Sequence, residues 1–119
     1  MGSAMRRGDV YLIDLAPARG SEANKARPAV IVSNDAANRS VDRMGRGVLT
    51  VVPVTSSTAR VYPFQVLLKA ADCGLRNDSK AQCEQVRSVA VERLLHRIGS
   101  LPPRVLAEVD TALRRHLAL

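Results

Sequence analysis

Short apolar runs rich in β-branched residues, separated by polar segments that contain glycine or proline, occupy most of this 119-residue chain. Such runs are typical of strands in a small β domain, because β-branched side chains fit the pleated surface of a sheet. Pro53 indicates an edge strand or a bulge, because proline cannot donate a ladder hydrogen bond. We predict strands from Asp9 to Leu15, Ala29 to Val32, Val48 to Thr55, Tyr62 to Leu68, Lys80 to Val89 and Leu95 to Leu101.

Two helical segments complete the predicted elements. Asn34 or Asp35 can cap a short helical turn from Ala36 to Arg39. A longer helix follows Pro102 and Pro103, because proline is tolerated in a first helical turn. Its apolar side chains share one stripe, formed by Val105, Leu106, Val109, Leu113 and Leu117. The fold class is therefore mainly β with α, a small barrel or strongly curved antiparallel sheet with this helix packed on it.

A single domain over residues 5–119 accounts for the pattern, since a chain of this length can bury a core without disulfides or metal. Residues 1–4 precede a second methionine, Met5, and are interpreted as a cloning scar. No apolar run has the length of a signal peptide or of a bilayer span. We therefore expect a cytoplasmic protein with no membrane partner.

Lysine and arginine outnumber aspartate and glutamate by 18 to 11, which favours an anionic partner. Nucleic acid is the leading candidate, although an acidic protein or an anionic membrane surface would satisfy the same excess. The basic residues are scattered, which indicates a folded basic face. With two tyrosines, one phenylalanine and no tryptophan, stacking on several aromatic rings is not how this chain would hold RNA.

Several familiar chemistries find no support in the sequence. Cys73 and Cys83 form no CxxC pair and stand at no metal-ligand spacing from His96 and His116, so buried free thiols are expected. Carboxylates are dispersed, no serine-histidine-aspartate arrangement is apparent, and neither glycine-rich nucleotide fingerprint occurs. Metal-free phosphodiester chemistry remains, because the 2′-hydroxyl of RNA is an internal nucleophile that a protein need only orient and stabilise.

Arginine and hydroxyl side chains, which this chemistry would use, occur at the ends of predicted strands. Pro28 biases Arg27 toward an extended backbone at the start of a buried strand, and a guanidinium held in this way suits phosphate. Thr55 ends another strand and precedes a hydroxyl-rich tip that begins with Ser56 and Ser57. In the run from Lys80 to Val89, alternation predicts one face that carries Ala81, Cys83, Gln85 and Arg87. A face with that glutamine and arginine suggests a ligand surface, with an ordinary edge strand as the alternative.

Motifs spread along the chain carry a resemblance to a known family. They are Arg6-Arg7-Gly8-Asp9-Val10-Tyr11, Gly20-Ser21-Glu22, Arg27-Pro28-Ala29-Val30-Ile31-Val32-Ser33-Asn34, Pro53-Val54-Thr55, Tyr62-Pro63-Phe64 and Glu84-Gln85-Val86-Arg87-Ser88. In this order, over most of the chain from Met5, they resemble the MazF/PemK/Kid family of toxin endoribonucleases, or mRNA interferases. The similarity is greatest to mycobacterial members.

The resemblance implies an SH3-like, CcdB/MazF-like small barrel of five to seven short, mostly antiparallel strands plus a C-terminal helix. It implies a homodimer with an RNA-binding groove, and a toxin of a type II toxin-antitoxin system inhibited by a MazE-type antitoxin. It also implies sequence-specific cleavage of single-stranded RNA with no metal or other cofactor. The products would carry a 2′,3′-cyclic phosphate and a 5′-hydroxyl, and translation and growth would be inhibited.

The same resemblance implies site residues. The arginine of the Arg-Pro motif and the threonine that ends the third strand are the catalytic pair in such families, and they match Arg27 and Thr55. Glu22 matches an acidic position of the first loop, and Gln85 a glutamine of the RNA groove. The expected RNA contacts are Arg19, Ser21, Lys25, Ser56, Ser57, Gln85 and Arg87.

Chemistry restricts the roles within this set. A guanidinium with a pKa above about 12 is a poor general base. We therefore assign Arg27 to stabilising the phosphorane and to protonating the leaving 5′-oxygen, and Thr55 to a hydrogen bond with a phosphate oxygen. Glu22 is the candidate base for the 2′-hydroxyl.

Two alternatives from other classes stay open. A gyrase poison resembling CcdB would use the same barrel, but such relatives depend on a tryptophan near the C-terminus and this chain has none. A basic nucleic-acid-binding module without catalysis would show salt-dependent RNA binding and no product ends.

Overall fold

The structure is a computed structural model that describes residues 5–15 and 26–119. In these residues the strands are β1 (Asp9–Asp14), β2 (Ala26–Ile31), β3 (Val48–Thr55), β4 (Gln65–Leu68), β5 (Ser79–Gln82), β6 (Arg87–Ala90) and β7 (Leu94–Ser100). The α-helices are α1 (Asp35–Met44), α2 (Ala70–Cys73) and α3 (Pro103–Leu117). The predicted class, mainly β with five to seven mostly antiparallel strands and a C-terminal helix, is confirmed with seven strands.

The strands form one sheet in the order β4-β5-β3-β2-β1-β7, with β6 paired to β3. All of these pairs are antiparallel. Within the described residues the end strands β4 and β7 do not pair with each other, so the sheet does not close into the SH3-like barrel that the resemblance implies, and of the two predicted forms the antiparallel sheet is the one found. Helix α3, rather than strand closure, covers the apolar cluster on one face of the sheet, because Val105, Val109 and Ala112 pack into that cluster.

Strand β3 lies inside the sheet, and the edge predicted from Pro53 is wrong for this strand. On one side β3 pairs with β2. On the other side Val48 to Val51 pair with β6, whereas Val54 and Thr55 pair with β5. Pro53 lies where the partner changes, so the ladder is already interrupted beside it and the missing N–H is tolerated.

A 3-10 turn at Cys83–Gln85 divides the predicted strand from Lys80 to Val89 into β5 and β6. The turn shifts the alternation between the two halves. Ala81 pairs with Val54, and Arg87 pairs with Val51, whose side chain points to the other face of β3. The prediction that Ala81, Cys83, Gln85 and Arg87 share one face is therefore wrong: the first two are buried, and the last two are exposed.

Other boundaries differ for local reasons. Helix α1 runs ten residues because Asn34 caps its start, with Oδ1 accepting from the Ala37 N–H at 2.8 Å, and the left-handed Gly45 ends it. Strand β4 begins only at Gln65, whose N–H donates to the Tyr62 carbonyl and closes a turn there. Strand β2 begins at Ala26, three residues before the predicted start.

Two apolar clusters lie on the two faces of the sheet. We call the face that carries Val30, Val52, Val54, Val66 and Leu68 the α3 face, because α3 packs on it. The cluster on the opposite face is formed by Met5, Tyr11, Ile13, Ala29, Ile31, Val41, Leu49, Val51 and Val89. Each long strand contributes to both clusters, as strict alternation requires.

Candidate active site

A cleft opens where β2 and β3 separate. Their ladder ends at the pair Ala29 and Pro53. Two residues further along each strand, the same register brings Arg27 opposite Thr55, beyond the last bonded pair. The cleft has a volume of about 340 Å³ and is lined by both of these residues and by Ser56. The structure thus brings together the residues predicted as the catalytic pair.

Alternation places the two side chains on one face. Arg27 shares the face of Ala29, which belongs to the cluster opposite α3. Thr55 lies two and four residues beyond Pro53 and Val51, so it points to that face as well. The cleft itself lies at the strand ends and is bounded from both faces, because Val54 and Leu75 of the α3-face cluster also line it.

Arg27 is exposed, and no hydrogen bond or ion pair engages its side chain within residues 5–15 and 26–119. Its five N–H donors are available to an incoming anion. A planar guanidinium can bind two phosphate oxygens at once. The strand fixes its backbone, since Arg27 pairs with Ile13 of β1.

Thr55 is half-buried, and its hydroxyl is oriented by the chain that follows. The Ser57 N–H donates to Thr55 Oγ1 at 3.2 Å. This bond uses the oxygen as acceptor and leaves the hydroxyl hydrogen free to donate to a phosphate oxygen. Ser56 and Ser57 are exposed beside it, and Ser56 also lines the cleft.

Gln85 and Arg87 lie next to β3, displaced from Thr55 towards the beginning of that strand. Gln85 is exposed in the 3-10 turn between β5 and β6. Arg87 is exposed on β6 opposite Val51, so its side chain is on the same face as Thr55. Glu84, next to Gln85, accepts from the Gln65 amide through Oε2 at 2.9 Å, while its Oε1 is buried without a hydrogen-bond partner.

Four predicted site residues, Arg19, Ser21, Glu22 and Lys25, lie outside the described residues. Their assignments stay predictions.

The sequence reasoning missed residues that the fold brings to the cleft. Arg76 and Asn77, from the connection between α2 and β5, line it on the side of Val54. Lys80 of β5 does not line the cleft, but it pairs with Thr55 of β3 beside it and is buried. No local sequence pattern marks the connection between α2 and β5 as part of the site, because its position depends on how β5 pairs.

The two cysteines are free and buried, as predicted. Burial is the main cause that raises the pKa of Cys83 to about 12, and it also raises the pKa of Cys73. His96 and His116 are exposed, on β7 and α3. In the described ranges, no three histidine, cysteine or carboxylate side chains form a metal-binding group, and no helix is long and apolar enough to cross a membrane.

Comparison with known proteins agrees with the resemblance. Residues 6–117 match the family described as PemK-like, MazF-like toxin of type II toxin-antitoxin system. The chain is 62% identical over 115 residues to endoribonuclease MazF9 of Mycobacterium tuberculosis, covering 97% of this chain and 98% of that protein. It is 33% identical over 115 residues to endoribonuclease EndoA of Bacillus subtilis, covering 97% and 96%.

Solved structures share the fold. A MazE–MazF crystal structure (form II) from Deinococcus radiodurans matches with a TM-score of 0.78 at 28% identity, covering 99% of each chain. A mycobacterial endoribonuclease in complex with its cognate antitoxin matches with a TM-score of 0.77 at 28% identity, covering 98% of this chain and 97% of that one. The chain belongs to the family of PemK-like, MazF-like toxins of type II toxin-antitoxin systems, and the predicted kinship with mycobacterial members is confirmed.

Proposed function

We propose that this protein is a toxin endoribonuclease that cleaves single-stranded RNA at a short sequence without a metal, with Arg27 and Thr55 as its catalytic pair. The observation that carries the proposal is the cleft between β2 and β3. There an arginine with no protein partner in the described residues faces an oriented threonine hydroxyl. Similarity to proteins named endoribonucleases supports the same activity.

The reaction is an internal transfer. The 2′-oxygen of RNA attacks the adjacent phosphorus, the bond from phosphorus to the 5′-oxygen breaks, and a 2′,3′-cyclic phosphate and a 5′-hydroxyl result. Glu22 takes the proton of the 2′-hydroxyl. Arg27 stabilises the charge of the phosphorane, because fixed donors aimed at developing charge lower the barrier. It also protonates the departing 5′-oxygen, while Thr55 donates a hydrogen bond to a phosphate oxygen.

RNA is bound at the strand ends that line the cleft. Arg87 and Gln85 extend the site along β3, and Ser56 and Ser57 bound the cleft. The excess of 18 basic over 11 acidic residues attracts the phosphate backbone. Arg19, Ser21 and Lys25 are proposed to contact RNA from the first loop.

The proposal extends to the partners. We infer a homodimer in the cytoplasm, with the RNA groove shared by two copies, and inhibition by a MazE-type antitoxin. Solved relatives described as MazE–MazF complexes and as an endoribonuclease with its cognate antitoxin support the antitoxin partner.

Incubation of the purified protein with a long single-stranded RNA in excess EDTA tests the activity. We expect discrete cuts at a recurring short sequence, because no step needs a metal. Replacing the one 2′-hydroxyl at a cut site with hydrogen should abolish that cut and leave the others. Cleavage of the 2′-deoxy site, or binding without any cut, would overturn the proposed function.

A further inference from the structure

Lys80 is a buried cation beside the site. It is only 8% exposed, and it pairs directly with Thr55 across the β3–β5 ladder. Opposed residues of an antiparallel pair project to the same face of the sheet. Arg27, Thr55 and Lys80 therefore form one row across β2, β3 and β5.

The ammonium of Lys80 has an unusual environment for a buried charge. It forms no ion pair with any carboxylate of the described residues. Instead, Nζ donates to the Arg60 carbonyl oxygen at 2.6 Å and lies 5.8 Å from the centre of the Tyr62 ring. A carbonyl and an aromatic face compensate a buried cation only in part. Both contacts of the ammonium are with the chain that follows β3.

The contact of Lys80 fixes the segment that follows Thr55. Residues 56–61 leave the end of β3, and the bond to the Arg60 carbonyl ties their far end back to β5. Within the segment, the Ser57 N–H orients the Thr55 hydroxyl. At its exit the Tyr62 N–H donates to Gln65 Oε1 at 3.1 Å, and the Tyr62 ring stacks on Phe64 at 5.4 Å.

We propose that Lys80 is a positioning residue of the site. Its ammonium holds residues 56–61 against β5, so that the Thr55 hydroxyl and the exposed Ser56 and Ser57 are presented to RNA in one arrangement. Its unneutralised charge adds to the potential that attracts a phosphate to Thr55. Lys80 thereby controls both the rate of cleavage and which sequences are cut. This inference rests on the proposed function, which supplies the substrate.

The test compares Lys80→Met with Lys69→Met. Methionine keeps the length and apolar stem but removes the donor and the charge. Lys69 is exposed and forms an ion pair with Asp78 at 3.8 Å, so it controls for loss of one lysine charge. We expect kcat/KM of Lys80→Met to fall about tenfold to a hundredfold, mostly in kcat, because a misplaced group near the reacting atoms costs rate steeply. The set of cut sequences should broaden, and Lys80→Arg should restore part of the rate.

Amide hydrogen exchange provides a readout that does not need activity. Exchange at residues 56–61 should speed up in Lys80→Met and stay unchanged in Lys69→Met, since only the first loses the bond to Arg60. If the wild type does not cut RNA, the proposed function fails. If the wild type cuts, but folded Lys80→Met has the same rate, cut sites and exchange as Lys69→Met, the role of Lys80 is overturned.

Lys80→Arg carries the test if Lys80→Met is unfolded at the assay temperature. The guanidinium keeps the charge but cannot reproduce the single compact donor at 2.6 Å. We then expect a folded enzyme with altered cut-site preference. Unchanged preference and an unchanged rate would contradict the proposal.

Discussion

The two faces of the sheet differ although the same strands form them. On the α3 face, apolar side chains continue to the end of β3, where Val54 is 2% exposed under the helix cluster. On the opposite face the apolar cluster stops short, and the next position, Thr55, opens into the cleft with Arg27. The faces differ in which residue type ends the strand: Val54 still packs in the cluster under α3 while it also lines the cleft, whereas Thr55 presents a hydroxyl there.

The difference teaches that stability and activity depend on alternate residues of the same strand. A side chain that points to α3 contributes to the core, and its neighbour contributes to the site. Substitutions one position apart should therefore affect different properties.

Leu68→Ala, set against Leu67→Ala, is expected to give the largest effect on stability. Leu68 is fully buried on the α3 face, and Leu67 is 41% exposed on the other. Removing a buried leucine leaves a cavity, so the free energy of unfolding should fall by about 2–5 kcal/mol for Leu68→Ala. The Leu67→Ala change should stay below about 1 kcal/mol. Urea unfolding measures both, and equal losses would show that the two faces are not distinct.

A smaller effect on the free energy of unfolding is expected from the thiol of Cys83, which is also on the α3 face. Its Sγ lies 4.0 Å from the Val109 carbonyl oxygen, and burial raises its pKa to about 12 from an ordinary 9.0. The unfolded thiol loses its proton first, so the stability that this group contributes is retained below about pH 9 and falls as the pH rises towards 12. Unfolding of wild type and Cys83→Ala between pH 8 and 10.5 checks this.

A thiol reagent gives an independent measure of the same burial. At pH 8 the folded protein should react slowly, and both cysteines should react at once after unfolding in guanidinium, because only the thiolate is reactive. Rapid reaction of Cys83 in the folded protein would place it outside the core.

The sequence predicted the strands that hold continuous apolar runs. The bounds of β3 were predicted to the residue, because the change from apolar to polar residues marks both ends of a buried run. The resemblance pairs Arg27 with Thr55, and the structure places both residues at one cleft, while their catalytic roles stay predictions. The sequence did not predict the 3-10 turn at Cys83–Gln85 or the buried position of Lys80. Both depend on which strand pairs with β3, and that is decided by long-range register, which local patterns do not contain.

Cleavage by Arg27→Ala in excess EDTA is the measurement that tests the central claim most directly. Arg39→Ala, which removes an exposed arginine of α1, is the matched control. We predict that Arg27→Ala loses cleavage by at least about a hundredfold, the typical cost of removing a donor to developing charge, with unfolding unchanged. Arg39→Ala should cut like the wild type. Full cleavage by folded Arg27→Ala would contradict the account.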